Sequence, residues 1–247
     1  MFIVCFPAQI WSDSYMYRVM VTVAMVACLA ASAAAQKKEQ QRIENANLVL
    51  NEILRMPETI PARLLARATC VVVIPSALKA AALVGASYGR GVMTCRKGTN
   101  FTEDWGPPSM IALEGGSFGF QLGGQATDFV FLLMNARAAS SMLSSRVKIG
   151  VDTAAAAGPV GRDAEASLDV FMRAEILTYS RSRGIFGGIS LTGSTLRADN
   201  RANEHLYGKP LNGKDIVVRN EVVAPAAAQG LLATLNHASP KRMVSNV

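Results

Sequence analysis

Tyr179-Ser180-Arg181-Ser182-Arg183-Gly184-Ile185-Phe186-Gly187-Gly188-Ile189-Ser190-Leu191-Thr192-Gly193 takes in the end of one β-like run, residues 168–179, the connecting residues 180–184 and most of a second run, 185–196. Gly184 gives the connecting segment the backbone freedom of a tight turn, so the pair reads as a hairpin. Other strands follow on the N-terminal side. Phe118, Phe120 and Leu122 alternate with Gly119, Gln121 and Gly123, the period-2 pattern of a half-buried strand. Residues 129–134 are an unbroken apolar run, which suits a strand buried on both faces. Residues 69–74, 92–96 and 147–157 are also β-like, and glycines are dense over 83–133, where they mark turns, bulges and crowded strands.

Helices lie towards the ends. Ile43, Ala46, Leu50, Ile53 and Leu54 recur at helical spacing over 42–55, ahead of Pro57. Glu44, Glu52 and Glu58 dilute the cationic face of this amphipathic helix, so it is expected to dock on its own domain rather than lie on a membrane. A second short helix starts at Pro61. Further helices are expected over 136–145, 199–207 and 225–236. Strands with helices grouped near the ends predict an α+β fold: a curved antiparallel β-sheet or partial barrel with N-terminal helices and a C-terminal helix.

A chain of 247 residues, half of them hydrophobic and 17% charged, suits one well-buried domain with short appendages. The net charge of +7 implies an acidic partner. Its basic residues occur singly or in pairs, without the dense tract of a nucleic-acid arm, so no nucleic acid is expected. Residues 1–35 read as a signal peptide, whose true start is either Met1 or Met16: Arg18 precedes an apolar stretch, and Ala33-Ala34-Ala35 is an A-x-A cleavage pattern before a polar mature start. Cys28 offers a second route, lipidation at an imperfect lipoprotein box. The rest divides into an N-terminal helical segment, 36–62, a main domain, 63–220, and a C-terminal helix with basic tail, 221–247.

Cys70 and Cys95 each fall in a β-like run, and either form a cross-strand disulfide or remain buried thiols. No C-x-x-C pair occurs, and His205 and His237 are the only imidazoles, so no metal site is expected. Gly115-Gly116-Ser117-Phe118-Gly119 matches the nucleophile elbow G-x-S-x-G, which raises a serine hydrolase using Ser117. An elbow needs a strand before it and a helix after it, whereas the sequence here continues as strand. Phosphate-cradling glycine motifs are absent, and no cofactor is expected.

The opening stretch closely resembles the signature of the SYLF domain family. Further pieces resemble that family in order: Cys70-Val71-Val72-Val73-Ile74-Pro75, Tyr88-Gly89-Arg90-Gly91-Val92, Trp105-Gly106-Pro107-Pro108, Ala157-Gly158-Pro159-Val160-Gly161-Arg162 and Leu206-Tyr207-Gly208. The resemblance spans about residues 42–220 and departs at Gly106, where many members have serine.

The resemblance implies lipid binding without catalysis, with phosphoinositides as ligands of eukaryotic members; bacterial members are exported or lipid-anchored. With the export signal, the expectation is a bacterial protein of the periplasm or cell envelope that binds anionic phospholipid. A scaffolding module with an envelope protein partner is the alternative. Arg181 and Arg183 on the hairpin turn, with Arg96, Lys97 and Arg162 on other loops, are the expected lipid contacts, because an arginine fork suits phosphate. Alternatively, Arg181 or Arg183 pairs with a carboxylate such as Glu165 or Asp169 and fixes the hairpin.

Overall fold

β-Branched runs such as Val71-Val72-Val73-Ile74 favour the extended backbone, and they form the centre of one large sheet. The computed structural model describes residues 9–57, 59–81, 84–118, 123–144, 146–149, 154–160, 174–182, 185–188 and 194–239. Its strands are β1 (Cys70–Ala81), β2 (Val84–Cys95), β3 (Ser109–Phe118), β4 (Gly123–Leu133), β5 (Val147–Lys148), β6 (Ala155–Ala157), β7 (Ile176–Ser182), β8 (Ile185–Gly188) and β9 (Ser194–Ala198). They run in the order β5-β9-β3-β2-β1-β4-β7-β6, with β8 paired to β7, and the sheet curls into a half-barrel. Every pairing is antiparallel except that of β6 with β7, so the sheet is mixed rather than purely antiparallel.

The predicted hairpin is present, with Tyr179 opposite Gly188 and Ser182 opposite Ile185. Its second strand is shorter than expected. β8 ends at Gly188, and β9 crosses to the other side of the sheet to pair with β3. The run 147–157 likewise divides, into β5 and β6 at opposite ends of the strand order. In each case a continuous β-like composition hides a change of partner, which local propensity does not register.

The helices are α1 (Gln9–Leu54), α2 (Ala62–Arg67), α3 (Ala136–Ser144), α4 (Asn200–Tyr207), α5 (Gly213–Val217) and α6 (Gln229–Ala238). They cover both faces of the sheet. Val71, Val73, Val130 and Leu132 point towards α1, α2, α4 and α6, while Cys70, Val72, Ile74, Phe129, Phe131 and Leu133 point towards α3 and α5. Strand alternation therefore feeds two cores at once. α1 docks on its own domain, with Ile43, Ala46, Leu50 and Ile53 wholly buried. It also runs unbroken from Gln9, and the apolar side chains of Met16, Val19, Met20 and Val23 are exposed along its first half. Cys28 lies on this helix with its side chain outside the described residues. α4 is capped at both ends: Asp199 accepts from the Ala202 N–H, and Gly208 adopts φ 70°.

Cys70 and Cys95 are direct cross-strand partners, joined by a disulfide with Cα atoms 4.0 Å apart. The bond closes a loop with a sequence separation of 25. Replacing both cysteines with alanine is expected to cost about 3 kcal/mol of folding free energy, from the greater freedom of the unfolded chain. Urea unfolding under non-reducing conditions measures it; a loss below about 1 kcal/mol would show that this staple contributes little.

Candidate functional site

Across the middle of the sheet, β1 carries one residue more than either neighbour. Val73 faces Val92 and Leu78 faces Tyr88 on one side; Ile74 faces Phe129 and Ala77 faces Thr127 on the other. The extra residue is accommodated at Pro75-Ser76, where Ser76 takes φ 47°. This is a β-bulge, a device that bends a strand and re-aims its side chains. Proline lacks a donor and suits the interruption. The Ser76 N–H donates to Asp128 Oδ1 at 2.8 Å.

Asp128 is held in turn by Arg181, its partner in the β4/β7 register. Arg181 Nε and Nη2 donate to Asp128 Oδ2 at 3.0 and 2.6 Å, and Nη1 pairs with Glu52 in the last turn of α1. Burial alone would lower the Arg181 guanidinium, but its bonds to Glu52 and Asp128 hold it above its ordinary value. One arginine thus ties together the hairpin strand, the bulge and the first helix.

Beside this knot, a cleft of about 470 Å³ opens between α1 and the sheet. Lys38, Gln41, Arg42, Asn45, Val49 and Glu52 line its helical wall; Pro75, Ser76, Arg90, Asp128 and Arg181 line the other. Lys38, Arg42, Asn45, Val49 and Glu52 follow one another at steps of four and three, which makes one stripe of a helix. Four cations, Lys38, Arg42, Arg90 and Arg181, therefore share one concave surface. Arg42 pairs with Glu39, which is 2% exposed. Burial raises the Glu39 carboxyl above its usual range, against the pull of Arg42. Arg90 donates to the Tyr88 hydroxyl at 2.5 Å and lies 3.5 Å from Asp199 Oδ2. A larger cleft, about 890 Å³, runs between α1, residues 59–65 and α6; among the described residues, Arg55 and His237 are its only basic lining residues.

Of the five expected lipid contacts, Arg181 reaches the cleft. Its carboxylate partners are Asp128 and Glu52; Glu165 and Asp169 lie outside the described residues, as do Arg183 and Arg162. Arg96, expected on an exposed loop, is instead wholly buried. Its guanidinium stacks 4.3 Å from the Trp105 ring and donates to the carbonyls of Ala68 at 3.3 Å and Ser239 at 2.9 Å. The loop after β2 folds back so that Arg96 bridges to Trp105 and closes over it, removing it from any headgroup. Lys97 follows at the end of β2 that faces Cys70, away from the bulge, beside Gly106 and Asn220.

Ser117 lies within β3, opposite Gly85, so the pentapeptide lacks the strand-to-helix turn of a nucleophile elbow. Among the described residues, no group of three or more His, Cys, Asp or Glu is arranged to hold a metal ion.

A sequence model of the Ysc84 family, described as Las17-binding protein actin regulator, matches residues 114–238, which is half of the chain. The chain belongs to this family. Its shared region contains Asp128 and Arg181 from the cleft, together with α6. Protein YSC84 of Saccharomyces cerevisiae is 31% identical over 206 residues, covering 81% of this chain and 42% of the relative. SH3 domain-containing YSC84-like protein 1 of Rattus norvegicus is 33% identical over 183 residues, 74% of this chain and 52% of the relative. LAS seventeen-binding protein 3 of S. cerevisiae is 32% identical over 190 residues, 75% of this chain and 40% of the relative. The chain thus spans about half the length of the curated relatives it matches. Their names describe binding and regulatory proteins rather than enzymes.

Lys38, Arg42, Arg90 and Asp128 were not among the expected site residues. A signal for each exists in the sequence. Lys38 and Arg42 are spaced one helical turn apart, Arg90 is flanked by two glycines, and Asp128 is a lone acid at the head of the apolar run 129–134, where it needs a cationic partner.

Proposed function

We propose that this Ysc84-family domain is a non-catalytic binding module whose cleft takes the headgroup of an anionic phospholipid. The observation that carries the reading is the meeting of Lys38, Arg42, Arg90 and Arg181 on one concave surface beside α1. Each cation close to an anionic leaflet contributes about 1 kcal/mol, and arginine forks add paired hydrogen bonds to phosphate. The cleft is open to solvent at its rim, where a headgroup enters without unfolding the domain. Export is part of the same proposal: the Cys70–Cys95 disulfide fits an oxidising compartment, and the segment ahead of Gln36 has the composition of a signal peptide.

Flotation with vesicles tests the lipid reading. The domain is expected to float with vesicles containing phosphatidic acid at low salt, to leave them as salt rises, and to ignore phosphatidylcholine alone. Equal binding to neutral vesicles would defeat the charge-based reading.

A second reading, a protein-binding module, is favoured by the names of the relatives, which describe Las17 binding. Crosslinking in cells separates the two, because dominant protein adducts without co-purifying lipid would favour it.

A further inference from the structure

We propose that Glu52 is a built-in competitor for the anion at Arg181, so that the cleft is held partly closed by a carboxylate of the protein itself; this rests on the phospholipid reading above. Arg181 has three donor positions engaged by carboxylates. Two face Asp128, a partner in the sheet whose side chain is 13% exposed and which also caps the bulge. The third, Nη1, faces Glu52, whose side chain is 60% exposed. The two carboxylates are therefore not equivalent. Asp128 is fixed on a buried strand and is needed by Ser76, whereas Glu52 reaches across the cleft mouth from α1 and can swing into water.

Energetics point the same way. Glu52 sits in the last turn of α1, where a negative charge opposes the helix dipole and gains nothing from its own helix. An ion pair this exposed contributes little and is readily broken. A phosphomonoester carries more charge and three acceptor oxygens, so it displaces a single exposed carboxylate from Nη1. Lys38 and Arg42 stand on the same stripe of α1, about 21 and 15 Å from Glu52 along the helix axis, so they add to the positive potential of the cleft without touching an anion held at Arg181. Glu52 then acts as a gate that sets the threshold of binding, and weakly charged headgroups fail to open it.

The experiment uses the full chain with phosphatidylcholine vesicles, with and without phosphatidic acid, at low salt. Glu52→Gln is expected to bind the acidic vesicles about 3- to 5-fold more tightly than wild type, the gain fading with salt. Glu44→Gln, which removes another exposed carboxylate of α1 away from the cleft, is the control for net charge and is expected to change little. In a Lys38→Ala background, where binding is weaker throughout, Glu52→Gln is expected to keep its gain, because the gate acts at Arg181. Inorganic phosphate, titrated by calorimetry, distinguishes a free anion from a headgroup: it is expected to bind Glu52→Gln weakly and not to strip it from vesicles. If wild type binds and Glu52→Gln binds no better, or Glu44→Gln gains as much, the gate is overturned while the lipid reading stands. If wild type and Glu52→Gln both fail to bind, the lipid reading falls and the gate with it. Binding by Glu52→Gln alone supports a gate that is fully shut in the wild type.

Discussion

Gly91→Ala is expected to destabilise the domain by about 3 kcal/mol, a large share of the stability of a domain this size. A Cβ at Gly91 would lie 2.0 Å from the Val73 carbonyl oxygen and 2.8 Å from the Ile74 Cα. Both atoms are backbone, so no rotamer change relieves the clash, and β1 and β2 must separate where the bulge begins. Gly89→Ala meets Ile74 Cγ2 at 2.6 Å, Ala77 Cβ at 2.8 Å and the Ala77 Cα at 3.3 Å, all longer than the shortest approach at Gly91, and is expected to cost less. Gly208→Ala meets nothing within 4 Å and carries only the strain of φ 70°, about 1 kcal/mol. Urea unfolding of the three variants should rank them in that order. Equal losses at 91 and 208 would mean that the strands do not approach as closely as described.

Asp128→Ala is expected to cost about 2 to 4 kcal/mol. It strands two partners: the Ser76 N–H loses its acceptor, and Arg181 keeps only the exposed Glu52. Arg181→Ala should be similarly costly, because it leaves Asp128 without its paired cation. The double variant should cost less than the sum of the two, with a coupling of about 1 to 3 kcal/mol. Additive losses would show that the two side chains act independently. Unlike Glu52→Gln, these changes should also lower the cooperativity of unfolding near β7, since the bulge, the hairpin and α1 share the one arginine.

Much of the architecture was legible from period and punctuation. Of the apolar run 129–134, residues 129–133 form the part of β4 buried on both faces, and Ile43, Ala46, Leu50 and Ile53 mark the docked face of α1. The helix expected over 199–207 is α4, Asn200–Tyr207. Partner choice was less legible, because 147–157 and 185–196 each read as one strand while their halves pair far apart. The site was legible in only one residue. Arg181 stands out because it flanks a hairpin turn, but its role depends on a bulge in β1, more than one hundred positions earlier, which no local pattern connects to it. Arg96 shows the opposite limit. A cation next to a glycine-bearing loop reads as exposed, and only the return of Trp105 and Ser239 over it makes it interior.

That enclosed guanidinium has a consequence for the order of folding. Its hydrogen bond to Ser239 joins residues 143 positions apart, and Trp105 Nε1 donates to the same carbonyl at 3.1 Å. Until the C-terminal helix docks, this charge stays hydrated, and the enclosure that Ser239 and Trp105 complete is missing. Completion of the fold must therefore wait for the last residues of the chain, and chains shortened ahead of residue 229 should be degraded by proteases rather than accumulate as a smaller stable domain.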